Sequence, residues 1–433
     1  MARAKTPTFT CELPLRVTPA QERALLVRLD CARMVYNACL GEALKRLGRL
    51  RGSADYQAAC RLPKRTRERT AAFWAANERY GFREFDLHAY AKQFGHSWLG
   101  EHLDSLTVQV LATRAFQSAQ RYALGKGGRP RFKGRGWFDS VEGKTNTSGI
   151  LWRAEAQSVK WKGLDLSAMI DPQDEVAAHG LACRVKYVRL LRRKLNRCNR
   201  FYAQLTCEGR PYRKAKHLVG KGVVGLDIGP STIAIVSGTS ASLERFCDGL
   251  RPRQRAIRRL QRKLDRQRRA GNPDNYNTDG TPKKGARDWH FSRRYVYTRG
   301  QLAELHRAQA AERRGLHGQM INRLLGQGDV IKLEKLSYRA FQRAFGGSVR
   351  FRGPGAFVAR LRRKAESAGV RVVEFAPGPT RLSQVCLCGA VRKKPLAQRW
   401  HACDCGVGPV QRDLFSAWLA RFVENERLDA VQA

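Results

Sequence analysis

The apolar positions along the chain change period several times, and each change marks an element. Residues 8–17 (TFTCELPLRV) read as a strand at a sheet edge, because Pro14 lacks a ladder donor. Thr18 then caps a helix with Pro19 at its first position. Leu25, Leu29, Met34, Leu40, Leu44 and Leu47 keep roughly helical spacing behind it. A helical region over 71–124 carries Phe73, Trp74, Phe82, Phe85, Tyr90, Phe94, Trp98, Phe116 and Tyr122. Their spacing assigns them to core, with stacking on unpaired bases the alternative for any one of them. Over 183–207 the chain reads as a hairpin, with Phe201, Ala203, Leu205 and Cys207 alternating against Tyr202, Gln204 and Thr206.

The most informative stretch is 222–237, GVVGLDIGPSTIAIVS: two short apolar strands joined at Gly229-Pro230-Ser231. Val223, Val224, Leu226 and Ile228 make the first strand apolar on both faces, as in a sheet covered on both sides. Asp227 sits inside it, and a buried carboxylate needs a partner, for which a divalent cation is a simple solution. Downstream, 251–269 reads as a helix, 271–294 as a polar loop or mobile insert, and 296–325 as helix again. Residues 329–336 form a strand with Glu334 near its end, Glu334 and Lys332 on one face and Ile331 and Leu333 on the other. A Gly-rich basic loop (341–354), a helix (356–368) and a strand (370–375) complete an alternating α/β layout. Leu414, Phe415, Trp418, Leu419 and Phe422 give a last helix an apolar face. Asp413 lies at its N-terminus, where the dipole favours a charged carboxylate.

Charge changes the picture from a generic α/β protein to one with a polyanionic partner. The 433 residues carry 82 Lys and Arg against 37 Asp and Glu, a formal net charge of +45. Arginine dominates the basic runs, which suits the forked recognition of phosphate. The Gly-rich segment 125–136 offers Arg129, Arg131, Lys133 and Arg135 to a phosphate backbone, with a flexible linker the alternative. Arg192 and Arg193 belong to a second cluster, and Arg412 precedes Asp413. Ten of the nineteen residues over 251–269 are Lys or Arg, among them Arg255, Arg258, Arg259 and Arg262 around a stripe of Ile257, Leu260 and Leu264. Like charges at that spacing destabilise an isolated helix, so it should need a polyanion alongside. No apolar run approaches the ~18–20 residues of a membrane span, and MARAKTPTFT lacks a signal-peptide core. A cytosolic protein without a membrane partner is expected.

Of twelve cysteines, eight are scattered and read as small core residues. Cys386, Cys388, Cys403 and Cys405 form two C-x-C pairs separated by fourteen residues, which suits a four-thiolate zinc site, with an apo or redox-active pair the alternative. The pairs are tighter than C-x-x-C, and Gly389 and Gly406 directly after them permit the knuckle turn that each needs. Asp227, Glu334 and Asp413 would require divalent cations if brought together, and Mg²⁺, with its oxygen preference, is the natural guest. Two such ions serve phosphodiester hydrolysis.

The segments GLDIGPSTIAIVSG, IKLEKLSY and SQVCLCG…RWHACDCGVGPVQRDLFSAWLA resemble the three RuvC-like motifs and embedded zinc ribbon of TnpB, a transposon-encoded RNA-guided nuclease, and of the compact type V CRISPR effectors related to it. LRVTPAQERALLVRL, RMVYNACL and GRPRFKGRG extend the resemblance upstream, more weakly. It implies an α/β nuclease core of RNase H-like, RuvC type with an inserted zinc ribbon, preceded by a β-barrel wedge domain interrupted by a helical recognition domain. The implied segments are 1–50 (wedge start and first helix), 51–124 (recognition), 125–221 (rest of the wedge and linker), 222–385 (motifs I and II), 386–406 (zinc ribbon) and 407–433 (motif III). It also implies a Mg-dependent endonuclease with Asp227, Glu334 and Asp413 catalytic. A guide RNA and double-stranded target DNA would be its partners, in a prokaryotic cytoplasm and on the nucleoid when bound to DNA. Where the family commonly has Asp two residues before the last catalytic Asp and Asn two residues after, this chain has Gln411 and Phe415. The rival expectation is a guided DNA-binding regulator that does not cut. Transposon or CRISPR context, and monomer or homodimer, are left open by the sequence.

Overall fold

The computed structural model describes residues 6–285, 287–395 and 397–429. Residues 1–5, part of the stretch read for a signal peptide, and 430–433 lie outside the described residues. The chain divides into two compact units, Met1–Tyr212 and Arg213–Ala433.

In the first unit, strand β1 (Thr8–Pro14) is indeed an edge strand. It leads into α1 (Pro19–Gly52), where Thr18 and Gln21 exchange the side-chain and backbone bonds of a capping box. The helices α2 (Ala54–Arg61), α3 (Arg67–Arg79), α4 (Glu84–Gly95), α5 (Leu99–His102) and α6 (Ser105–Ala123) follow. The short strands β2 (Ser140–Glu142), β3 (Leu151–Arg153), β4 (Ser158–Trp161) and β5 (Leu164–Ser167) precede α7 (Glu175–Ala182). The expected hairpin is β6 (Val185–Leu195) with β7 (Cys198–Glu208). One sheet runs β1-β7-β6-β2 and another β3-β4-β5. They meet where the chain leaving β1 bridges to Ala168, and the pairings among the described residues do not close the two sheets into the expected barrel. One core joins the sheets to α1, α4 and α6.

The second unit is built on a five-stranded sheet. Strands β8 (Val223–Ile228), β9 (Thr232–Val236) and β10 (Ala241–Arg245) form an antiparallel meander. After α8 (Gln254–Ala270) and α9 (Arg293–Leu325), β11 (Val330–Glu334) pairs parallel to β8. Helices α10 (Tyr338–Arg352) and α11 (Pro354–Ala368) then lead to β12 (Arg371–Phe375), parallel to β11. The order is β10-β9-β8-β11-β12. Alternation along the central strands decides what covers each face. Val224, Leu226 and Ile228 with Ile331 and Leu333 join α9 and α11 in one core. The opposite face carries Gly225, Asp227, Lys332 and Glu334 and meets α13 (Arg412–Ala420), which follows the short α12 (Pro377–Thr380).

One expectation needs correction here. Residues 341–354 are not a loop but mostly α10, which tolerates Gly346-Gly347 with a break at Phe345 (φ −125°, ψ 30°). Tertiary bonds hold it: Ser348 Oγ donates to the Pro230 carbonyl and Arg352 Nε to that of Phe246. The segment between α8 and α9 is a loop, as expected, and its two ends are joined by the buried side chain of Asn272, which donates to the carbonyls of Arg268 and His290 and accepts from the His290 amide.

Candidate active site

Three elements from distant parts of the sequence deliver the three acids to one cleft. In-register pairing of Leu226 with Leu333 puts the next residues, Asp227 and Glu334, side by side on adjacent parallel strands about 4.8 Å apart, on the same face. Asp413 comes from the first turn of α13. That helix crosses β8 at Gly225, where a side-chain carbon would lie 1.8 Å from the Ala417 carbonyl oxygen. One turn back from Ala417 is Asp413, and two residues on from Gly225 is Asp227. Gly225 thus permits the contact that brings the two carboxylates to the same level. A cavity of about 990 Å³ is lined by all three acids together with Lys393, Lys394 and Arg399.

The acids are in electrostatic conflict. Burial, then the charges of Asp413 and Glu334, push the Asp227 carboxyl up to about 7, against a smaller opposing pull from Arg412. Burial also raises Glu334. Asp413 is paired on both oxygens, at 3.2 Å from Arg412 Nη2 and 3.7 Å from Arg399 Nη1. The buried hydroxyl of Ser416, on the wall of the same cavity, has no hydrogen-bond partner among the described residues. An all-oxygen set of clashing carboxylates beside an orphaned hydroxyl fits a hard divalent cation such as Mg²⁺, and Asp227, Glu334 and Asp413 are the residues that would hold it.

The departures from the family pattern acquire local reasons. Gln411 caps α13, its Oε1 accepting from the Leu414 amide at 2.8 Å. Phe415 stacks on His401 with ring centroids 4.5 Å apart.

The four cysteines converge, with all ligand atoms within 4.8 Å of one another. Cys386 and Cys405 sulfurs lie 3.6 Å apart and those of Cys388 and Cys403 3.7 Å apart, against about 3.8 Å along the edge of a tetrahedral zinc–thiolate site. Each C-x-C is followed by the same turn: the Gly389 amide donates to Cys386, the Gly406 amide to Cys403, and both glycines have positive φ (80° and 90°). The cluster can hold zinc. It is tied directly to the acid cleft, because Trp400 pairs with Gln411 and the Arg412 guanidinium donates to the Gln398 carbonyl at 3.0 Å.

The basic residues singled out in the sequence fall into two groups. Arg129, Arg131, Lys133 and Arg135 are exposed, as are Arg255, Arg258, Arg259 and Arg262 on α8. Three others are engaged internally. Arg192 is buried on Asp139 and the Gly136 carbonyl, Arg193 forks onto Glu12 at 2.6 Å for both bonds, and Arg412 is buried beside Asp413. Lys393, Lys394 and Arg399 escaped the sequence reading, although they lie between the two cysteine pairs. No helix among the described residues is long and apolar enough to cross a membrane.

Comparison with solved structures finds distant likenesses. The chain is similar to Cas12f1 in a complex with sgRNA and target DNA, at a TM-score of 0.44 and 11% identity over 95% of this chain and 98% of that one. It is also similar to CRISPR-Cas12f in a ternary complex, at 0.30 and 13% over 93% and 82%. No protein-family profile matches the chain. No curated protein matches it either.

Proposed function

We propose that the chain is an RNA-guided DNA endonuclease whose RuvC-like centre is Asp227, Glu334 and Asp413. The observation that carries this is the convergence of those acids, from β8, β11 and α13, on one cleft of about 990 Å³. The sheet order, with the acids at the carboxyl ends of the central parallel pair and on the covering helix, suits the RNase H-like core that the sequence motifs imply. Two Mg²⁺ ions, held by Asp227, Glu334 and Asp413, would supply an activated water and charge stabilisation for phosphodiester hydrolysis. Lys393, Lys394 and Arg399 line the cleft with positive charge for the incoming backbone. Arg412, anchored on the Gln398 carbonyl, fixes Asp413 from behind.

The net charge of +45 and the exposed arginines of α8 supply a surface for a structured guide RNA, while base pairing reads the target sequence. The N-terminal unit would read a short motif beside the target. The test is to express the chain with its flanking genomic DNA, sequence the RNA that co-purifies, and supply a matching duplex with Mg²⁺. One abundant structured RNA with a variable 3′ segment is expected. Cleavage should be abolished by Asp227→Ala, with RNA-dependent DNA binding nearly intact. Guided binding without cleavage under any Mg²⁺ condition would reduce the chain to a guided DNA-binding protein.

A further inference from the structure

We propose that the N-terminal unit holds a separate site for one unpaired nucleotide, its base in a cleft beside α1 and its phosphates along residues 125–136. This rests on the reading of a nucleic-acid partner, not on cleavage. α1 buries one face in the core, yet Val27, Asp30 and Met34 make a second stripe at i, i+3 and i+7, with Val27 44% and Met34 37% exposed. A cleft of about 350 Å³ opens against this stripe, lined by Leu26, Val27, Asp30, Trp98 and Arg135. That is within the size range of small-ligand sites. Trp98 is 54% exposed although it lines the cleft, and it packs edge-on against His102. A half-open indole on an apolar wall is a stacking platform for a base.

The basic segment is built onto the same helix rather than hanging free. Asn37 on α1 donates to the Lys133 carbonyl at 2.9 Å and accepts from the Lys133 amide at 2.8 Å. Phe132 lies over Gly41, where a side-chain carbon would come within 3.7 Å of its ring. Arg192 Nη2 donates to the Gly136 carbonyl at 2.7 Å. These anchors consume backbone groups and leave the charged heads of Arg129, Arg131, Lys133 and Arg135 exposed, without a hydrogen bond or ion pair among the described residues. Charge then assigns the parts of the nucleotide. Asp30 in the cleft is forked by Arg33 at 2.7 and 3.3 Å, which fixes its carboxylate while leaving lone pairs that can accept from a base N–H, and the rim of four cations attracts phosphate. In a duplex the base faces are already stacked, so the occupant is a single strand.

The test uses the full chain without added Mg²⁺ and short fluorescent single strands of RNA and of DNA, each with normal or abasic residues. Trp98→Ala should weaken the base-bearing strand roughly tenfold and leave the abasic strand unchanged, with Trp98→Phe largely restoring binding. Whichever sugar shows the loss identifies the source of the nucleotide. Arg135→Ala should weaken both strands and reduce the salt slope by about one. A strand carrying 5-iodouracil should cross-link to Trp98. Equal losses on base-bearing and abasic strands, no loss on either, or a changed sedimenting mass (a second copy on this face) would each overturn the proposal. Failure of the unaltered chain to bind any strand would overturn the nucleic-acid reading itself.

Discussion

The acid cleft and the cysteine cluster adjoin in the C-terminal unit but are built in opposite ways. The cysteines lie within twenty residues of one another, and two short turns bring their sulfurs to 3.6–3.7 Å. The acids span 227 to 413 and meet only because a sheet register and a helix crossing put them together. The cysteine knuckles close on local hydrogen bonds and would depend on a metal for strength. The acid cleft depends on the whole unit, and the fold tolerates it at an electrostatic cost. The two differ in what should happen when each is disturbed.

The largest effect should come from emptying the cysteine site. The double variant Cys386→Ser/Cys403→Ser should drop bound zinc from one to none per chain by elemental analysis and open residues 381–411 to limited proteolysis. Structural zinc in small modules contributes apparent binding energies of about 10–16 kcal/mol, far more than other contacts in so small an element. Arg412 and the Trp400–Gln411 pairing connect that element to α13, so cleavage should fall as well. Unchanged proteolysis would mean that the ribbon stands without its metal.

Disturbing the acid cleft should have the opposite sign. The Asp227 carboxyl sits near 7 in the folded chain, above its ordinary value, because burial and the neighbouring acids oppose its charge. As pH rises from about 4 to about 7, the unfolded chain gives up this proton first, so the metal-free fold loses stability across that window and levels off above it. Asp227→Asn should remove this loss and stabilise the metal-free protein by on the order of 3 kcal/mol at pH 8, with little change at pH 4. Thermal melts at the two pH values measure it. Mg²⁺ should bind more tightly to the native protein as pH climbs through 7, because binding must displace the proton.

How much of this was legible in the sequence follows the same division. The cysteine pairs and their glycines could be read directly, since every ligand lies near its partner. The acids could be picked out one by one from apolar strands and a helix start, and the alternation of β11 put Glu334 on one face with Lys332. Their meeting depended on the Leu226–Leu333 register and the Gly225 crossing, which no local pattern states. Basic residues were read least well. Arg192 and Arg193 look in sequence like Arg129 and Arg131, but Asp139 and Glu12 claim the former from 53 and 181 residues away. The glycines of 341–354 suggested a loop, and a helix won because Val349 is buried while Ser348 and Arg352 bond to the turn before β9 and the chain after β10.

Two glycine substitutions sharpen the contrast, because the same chemical change meets different obstacles. Gly225→Ala would drive a methyl into the Ala417 carbonyl, and since that atom is backbone, α13 itself must move. Overpacking of this kind costs about 1–3 kcal/mol, and the displacement would carry Asp413 away from Asp227. Cleavage should therefore fall further than the loss of stability explains, with zinc content unchanged. Gly389→Ala meets nothing within 4 Å, so no atom has to give way. Its obstacle is the φ of 80°, which an L side chain rarely adopts, at a cost of about 1 kcal/mol. The expected result is a zinc affinity weakened about fivefold in chelator competition, with the acid cleft and its pH response preserved. If Gly389→Ala instead shifted the pH dependence of Mg²⁺ binding, the two sites would be one cooperative unit.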